Sequence, residues 1–83
     1  MPLEWRLAKI LKDERLTPYA LWRASGVSQP TVYRWARMKR LPRSLDLNAL
    51  EGIVKGLRRL TGKDYQIGDL FAVVDGGQEE VKR

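Results

Sequence analysis

The chain has 83 residues, 43% hydrophobic and 31% charged, with a formal net charge of +6. That length suits one domain with a single small core, not a core with a roomy catalytic cleft beside it. With no Cys and no His, disulfides, thiolate nucleophiles and Cys-based metal sites drop out, and the composition suits a reducing cytoplasm. No apolar run approaches the roughly 20 residues that span a bilayer, and no signal peptide is expected ahead of the domain. The charge is unevenly placed: residues 1–43 carry ten Lys/Arg against three acids, residues 44–83 six against seven. A basic excess confined to one half is the footprint of a surface that meets nucleic-acid phosphates, with a solvated basic face as the plain alternative.

In chain order, the first predicted element is a helix from Leu3 to about Arg15. Leu3, Leu7, Ile10 and Leu11 follow the helical period as a core stripe, with Arg6, Lys9 and Lys12 on the other side. Trp5 lies off the stripe and is read as a partial cover for the core edge rather than a base-stacking platform. Leu16 is expected to pack under the turn that follows.

Thr17 to Arg37, TPYALWRASGVSQPTVYRWAR, then reads as helix, Gly-centred turn and helix. The Thr17 hydroxyl can accept from an unpaired N–H of the first turn. Pro18 suits the first helical position, where its missing N–H costs nothing. Leu21 and Ala24 face inward, and Gly26 stands where the first helix must stop. Ser28 can cap the next helix, which has Pro30 in its first turn. Val32 and Trp35 form the apolar side, with Val27 just upstream, while Gln29, Pro30, Tyr33, Arg34 and Arg37 occupy the opposite face.

The Gly26 turn, Val27 and the G-V-S-x-x-T-V-Y-R run from Gly26 to Arg34 resemble the helix-turn-helix of the Cro/CI-type (Xre, lambda-repressor-like) family of DNA-binding regulators. Trp35 stands where that family keeps an apolar residue. One place departs: four residues before the turn Gly the family usually has a small Ala, and here it is Trp22. Either the helix pair is spread or rotated, or the register is one residue off and Trp22 lies outside.

Beyond the motif, five basic residues and no acids fall between Arg34 and Arg43, and Pro42 ends the third helix near Met38. A further amphipathic helix is predicted from Asn48 to about Thr61, with Asn48 and Glu51 as a capping-box pair. Its buried stripe is Leu50, Ile53, Val54, Leu57 and Leu60, and Gly62 terminates it. Gly52 and Gly56 lie four apart in a helix that also carries Glu51, Lys55, Arg58 and Arg59. That excludes a membrane span and predicts a close helix–helix contact inside the domain. Asp69-Leu70-Phe71 resembles the family's short last helix. Val73 and Val74 fit either its extension or a strand, and this apolar end is either a core lid or half of a dimer interface. Residues 75–83 are expected to form a disordered tail.

The resemblance spans roughly residues 3–72. It implies an all-α fold of five helices, the second and third forming the helix-turn-helix, within a domain at residues 1–74. It further implies a sequence-specific regulator of double-stranded DNA, a repressor that blocks promoter access, acting as a cytoplasmic, nucleoid-associated homodimer. Base-reading positions implied by the resemblance are Gln29, Pro30, Tyr33 and Arg34. Gln29 can bond bidentately to adenine and Arg34 to guanine, each worth about 1–3 kcal/mol of discrimination, while Pro30 offers only apolar contact. The alternatives are an exposed helix-start residue for Gln29, a phosphate clamp for Arg34 and partial burial for Tyr33. Ser28 and Thr31 could bond phosphates, and Arg37, Lys39, Arg40 and Arg43 supply sequence-blind attraction. Two-fold pairing would set recognition helices about 34 Å apart.

No cofactor, membrane partner or small-molecule ligand is implied. A second reading is an antitoxin-like or adaptor module that uses the same fold to bind protein. An enzyme is not expected, because the acids are scattered and no His or Cys is present. RNA is disfavoured, since a helix cannot read the deep major groove of an A-form duplex.

Overall fold

The second and fourth helices pack so closely that one of them must dispense with side chains at the crossing. In the computed structural model, which describes residues 3–73, these are α2 (Pro18–Ser25) and α4 (Leu47–Thr61). A methyl group at Gly52 would stand 2.7 Å from Val27 Cγ2 and 2.9 Å from the Ser25 carbonyl oxygen; one at Gly56 would stand 3.1 Å from Leu21 Cδ1. The expected close contact is therefore present. Gly52→Ala should destabilise the domain by up to about 2 kcal/mol: overpacking typically costs about 1–3 kcal/mol, and the gain in helix propensity returns only about 1. Denaturant unfolding checks this, and a variant more stable than wild type would contradict it.

Each end of α2 follows its local chemistry. Thr17 Oγ1 accepts from the Ala20 N–H at 3.1 Å, Pro18 opens the helix, and Gly26 closes it at φ 75°. The third helix, α3, spans Gln29–Arg37 and stops at Met38. The first, α1, spans only Leu7–Asp13. Asp46 rather than Asn48 caps α4, its carboxylate accepting from the Asn48 N–H at 2.9 Å. Its extended backbone just ahead of the first helical residue is what that role requires. Leu50, Ile53, Val54 and Leu57 are buried as expected, but Leu60 is exposed. Gly62 ends the helix at φ 73°.

The expected five-helix, all-α arrangement is corrected at both ends of the described chain. Leu3–Trp5 is a strand, β1, paired antiparallel with a second strand, β2, at Phe71–Val73, with Glu4 opposite Ala72. The fifth helix is a single 3-10 turn, Ile67–Leu70, whose start is held by Asp69 accepting from the Gln66 N–H. So the fold of the described residues is mostly helical, four α-helices with a small two-stranded sheet. Leu3 belongs to no helical stripe. Successive strand residues alternate faces, so Leu3 and Trp5 share the inner side.

Trp5 is also more than a partial cover. It is 3% exposed and donates its indole N–H to the Trp35 carbonyl at 2.7 Å, with the two rings edge to face, centroids 5.6 Å apart. Around this pair Leu7, Leu21, Val32, Ile53, Leu57 and Leu70 are fully buried. Trp22 packs half-buried at the edge of this core. It meets Tyr19 edge to face at 5.6 Å, with the Arg23 guanidinium 5.6 Å from its ring centre. Val74 and the expected tail at 75–83 lie outside the described residues.

The end of α1 is tied to the segment after α4. Glu14 accepts from Lys63 Nζ at 2.8 Å and from the Tyr65 hydroxyl through the same oxygen. The Lys63 hydrogen bond, then that of Tyr65, holds the Glu14 carboxyl below its ordinary value. The same carboxylate, aided by burial, pushes the Tyr65 phenol up to about 12. A lowered carboxyl contributes stability that is present above the ordinary carboxylate range and lost as pH falls through the depressed value. A raised phenol contributes stability that is present below its ordinary value and lost as pH rises through about 12. The melting temperature of Glu14→Gln should therefore fall less than that of wild type on acidification. Parallel curves for the two proteins would refute this assignment.

Candidate nucleic-acid interface

The α3 helix divides its residues by face. Val32, Trp35 and Ala36 are buried, and Gln29, Pro30, Arg34 and Arg37 are exposed on the side away from them. Tyr33 is half-buried and packs against the core, so only part of its ring is left to the surface. Thr31 is also half-buried. Ser28 precedes the helix without making the expected cap; its hydroxyl donates to Thr31 Oγ1 at 2.9 Å instead.

The basic segment after α3 is held rather than loose. Glu4 and Arg40 form an isolated antiparallel bridge, and the Trp5 N–H reaches the Lys39 carbonyl at 3.4 Å, so the segment lies along the free side of β1. Pro42 is buried. That anchorage leaves Lys39, Arg40 and Arg43 exposed. The ion pairs among the described residues, Arg58–Asp64 at 3.7 Å and Lys63–Glu14 at 2.8 Å, engage none of Arg34, Arg37, Lys39, Arg40 or Arg43. Their charge therefore faces solvent uncompensated.

A groove of about 450 Å³ runs between α3 and the start of α4. Ser28, Thr31 and Arg34 line one wall, and Ser44, Asp46 and Asn48 line the other. A second hollow of about 310 Å³, lined by Arg34, Met38, Pro42, Arg43 and Ser44, adjoins it. Arg34 and Ser44 border both, so the predicted Ser28, Thr31, Arg34 and Arg43 are brought to one continuous depression. Gln29 and Pro30 stand on the exposed first turn of α3 outside its lining. Ser44 and Asn48 were missing from the predicted set, and small polar residues flanking the basic run are the only trace of them in the sequence. Hydroxyls, an amide and a guanidinium around an open groove can donate hydrogen bonds to anionic oxygens. The Asp46 carboxylate sits in the same groove as an acceptor, already engaged with the α4 backbone.

No group of His, Cys, Asp or Glu among the described residues is arranged to hold a metal. No described helix is long and apolar enough to cross a membrane. Across residues 6–76 the chain matches the model of a family described as the Cro/C1-type HTH DNA-binding domain. No curated protein and no solved structure matches it.

Proposed function

Because this chain belongs to the Cro/C1-type helix-turn-helix DNA-binding domain family, we propose that it is a sequence-specific transcriptional regulator that sets α3 into the major groove of double-stranded DNA. The carrying observation is the two-sidedness of α3: Val32 and Trp35 root it in the core, while Gln29, Pro30 and Arg34 stand exposed from its first residue onward. A B-DNA major groove admits one α-helix and displays the edges that distinguish all four base pairs. In this reading Gln29 and Arg34 read bases, Pro30 makes an apolar contact, and Tyr33 supports them with the exposed part of its ring. Ser28, Thr31, Arg37, Lys39, Arg40 and Arg43 bind the sugar–phosphate backbone, and Ser44 and Asn48 join them across the groove. Residues 1–74 form the DNA-binding domain. Two copies occupy half-sites one helical turn apart, and the bound homodimer represses by blocking promoter access in the cytoplasm.

Selection from random duplex DNA, followed by titration of the enriched site at several salt concentrations, tests this. The expected result is a palindromic site whose log K falls with log salt at a slope of about −3.6 per monomer when Arg37, Lys39, Arg40 and Arg43 meet phosphates. No enrichment, together with a 1:1 complex with another protein, would replace this reading with that of an interaction module.

A further inference from the structure

We propose that Tyr19, Trp22 and Arg23 form a docking site on α2 for an acidic segment of a partner protein, one that sets an apolar side chain beside its carboxylates. The three residues are spaced three and four apart, so they share one face of the helix, and Leu21 on the opposite side is fully buried. Tyr19 is 56% exposed, Arg23 is exposed and Trp22 is half-buried. They touch one another: the two rings meet at an interplanar angle of 65°, and the Arg23 guanidinium lies over the Trp22 ring. The fold gives this cluster no duty. Tyr19 and Arg23 lie outside the core and the apolar residues packed on it, and neither ion pair among the described residues engages Arg23. None of the three lines the groove between α3 and α4, so the surface is separate from the one read above as facing DNA.

Single exposed apolar residues need no explanation, but Tyr, Trp and Arg in mutual contact are the residues that carry most of the energy in protein interfaces. Charge selects the occupant. From Arg15 to Leu45 the chain holds seven Lys/Arg and no acid, so carboxylates are drawn to this surface and a second, equally basic copy is repelled. The Arg23 fork can take a carboxylate bidentately, and the Tyr19 hydroxyl can donate to another. The two rings then cover an apolar side chain placed between those carboxylates. Single-stranded nucleic acid would also bring negative charge, but its bases need an open ring face on which to stack. Trp22 offers none, because Arg23 lies over its ring and part of the side chain packs on the core.

Selection of phage-displayed random peptides on the full chain, followed by fluorescence titration, tests this. Trp5 and Trp35 are 3% and 2% exposed, so acrylamide quenching of tryptophan fluorescence reports on Trp22. The enriched peptides should set Asp or Glu beside an apolar residue, and a synthetic peptide of the shared sequence should shield Trp22 from acrylamide. Tyr19→Ala, which changes no charge, and Arg23→Glu should each weaken that peptide at least about tenfold, with circular dichroism and melting near those of wild type. Failure to enrich any peptide, enrichment of basic ones, or binding undiminished in Tyr19→Ala would overturn the proposal. So would shielding of Trp22 by oligothymidylate and not by the peptide. Failure of the DNA reading is separate: no duplex would be enriched, yet the peptide and its loss in Tyr19→Ala would persist.

Discussion

Trp35→Ala should cost the domain a large share of its stability, about 3–5 kcal/mol. The Trp35 side chain is 2% exposed and the largest of the fully buried residues. It carries α3 against the core and stacks edge to face on Trp5, whose indole N–H is satisfied by the Trp35 carbonyl. Truncating a buried Trp to Ala costs about 3–5 kcal/mol through lost transfer energy and the cavity left behind. At about 0.05–0.15 kcal/mol per residue, a domain of this size has only some 4–12 kcal/mol of total stability. The carbonyl survives any substitution, so the loss would come from packing. Trp35→Phe separates the contributions: the Trp35 Nε1 has no hydrogen-bond partner among the described residues, so replacing indole by phenyl forfeits volume but no hydrogen bond seen there, and the cost should be clearly smaller. Denaturant unfolding of the two variants measures the difference. Equal losses would mean that ring volume is not what Trp35 contributes.

Gln29→Ala with Arg34→Ala should abolish preference for the selected site while leaving the fold unchanged. Both side chains are exposed on α3, so their removal creates no cavity. At about 1–3 kcal/mol per bidentate contact, the pair accounts for about 2–6 kcal/mol, a loss of roughly 30- to 20,000-fold against the cognate duplex. Binding to unrelated duplex should weaken far less, chiefly through the lost Arg34 charge. The contrasting set, Arg37, Lys39, Arg40 and Arg43 changed to Ala, should weaken binding to every sequence alike and flatten the salt slope by about 0.9 for each phosphate contact removed. If the double variant lost affinity equally for cognate and unrelated DNA, Gln29 and Arg34 would be phosphate contacts.

How legible each feature was in the sequence follows from how local its cause is. Thr17, Pro18, Gly26 and Gly62 act on their own neighbours, and all four sit where local chemistry places them. Gly52 and Gly56 were legible for a different reason: two glycines inside an amphipathic helix require a neighbour, and α2 supplies it. β1 was hidden, and β2 stood only as one of two alternatives at Val73, because the partners come from opposite ends of the described chain. The spacing of Leu3 and Leu7 fits a helix as well as a strand with a corner at Arg6. The burial of Trp5 depends on a carbonyl thirty residues away. Asn48 with Glu51 matched a capping pattern, but Asp46 two residues earlier took the cap. Arg15 follows α1 at φ 58° without a glycine to announce it.

The candidate site divides in the same way. The exposed side of α3 was readable from its period, since burying Val32 and Trp35 turns Gln29, Pro30, Arg34 and Arg37 outward. Tyr33 lies at the boundary between faces and is shared with the core. Ser44 and Asn48 reach the groove only because α4 starts beside α3, and no spacing rule brings them there.

Methylation interference on the selected site is the most direct test of the claim that α3 reads the major groove. Guanine N7 lies in that groove and adenine N3 in the minor one. N7 methylation should block binding in two patches about 34 Å apart, one per half-site, and the Gln29→Ala, Arg34→Ala protein should lose this pattern. Interference confined to adenine N3, or none at either position, would contradict it.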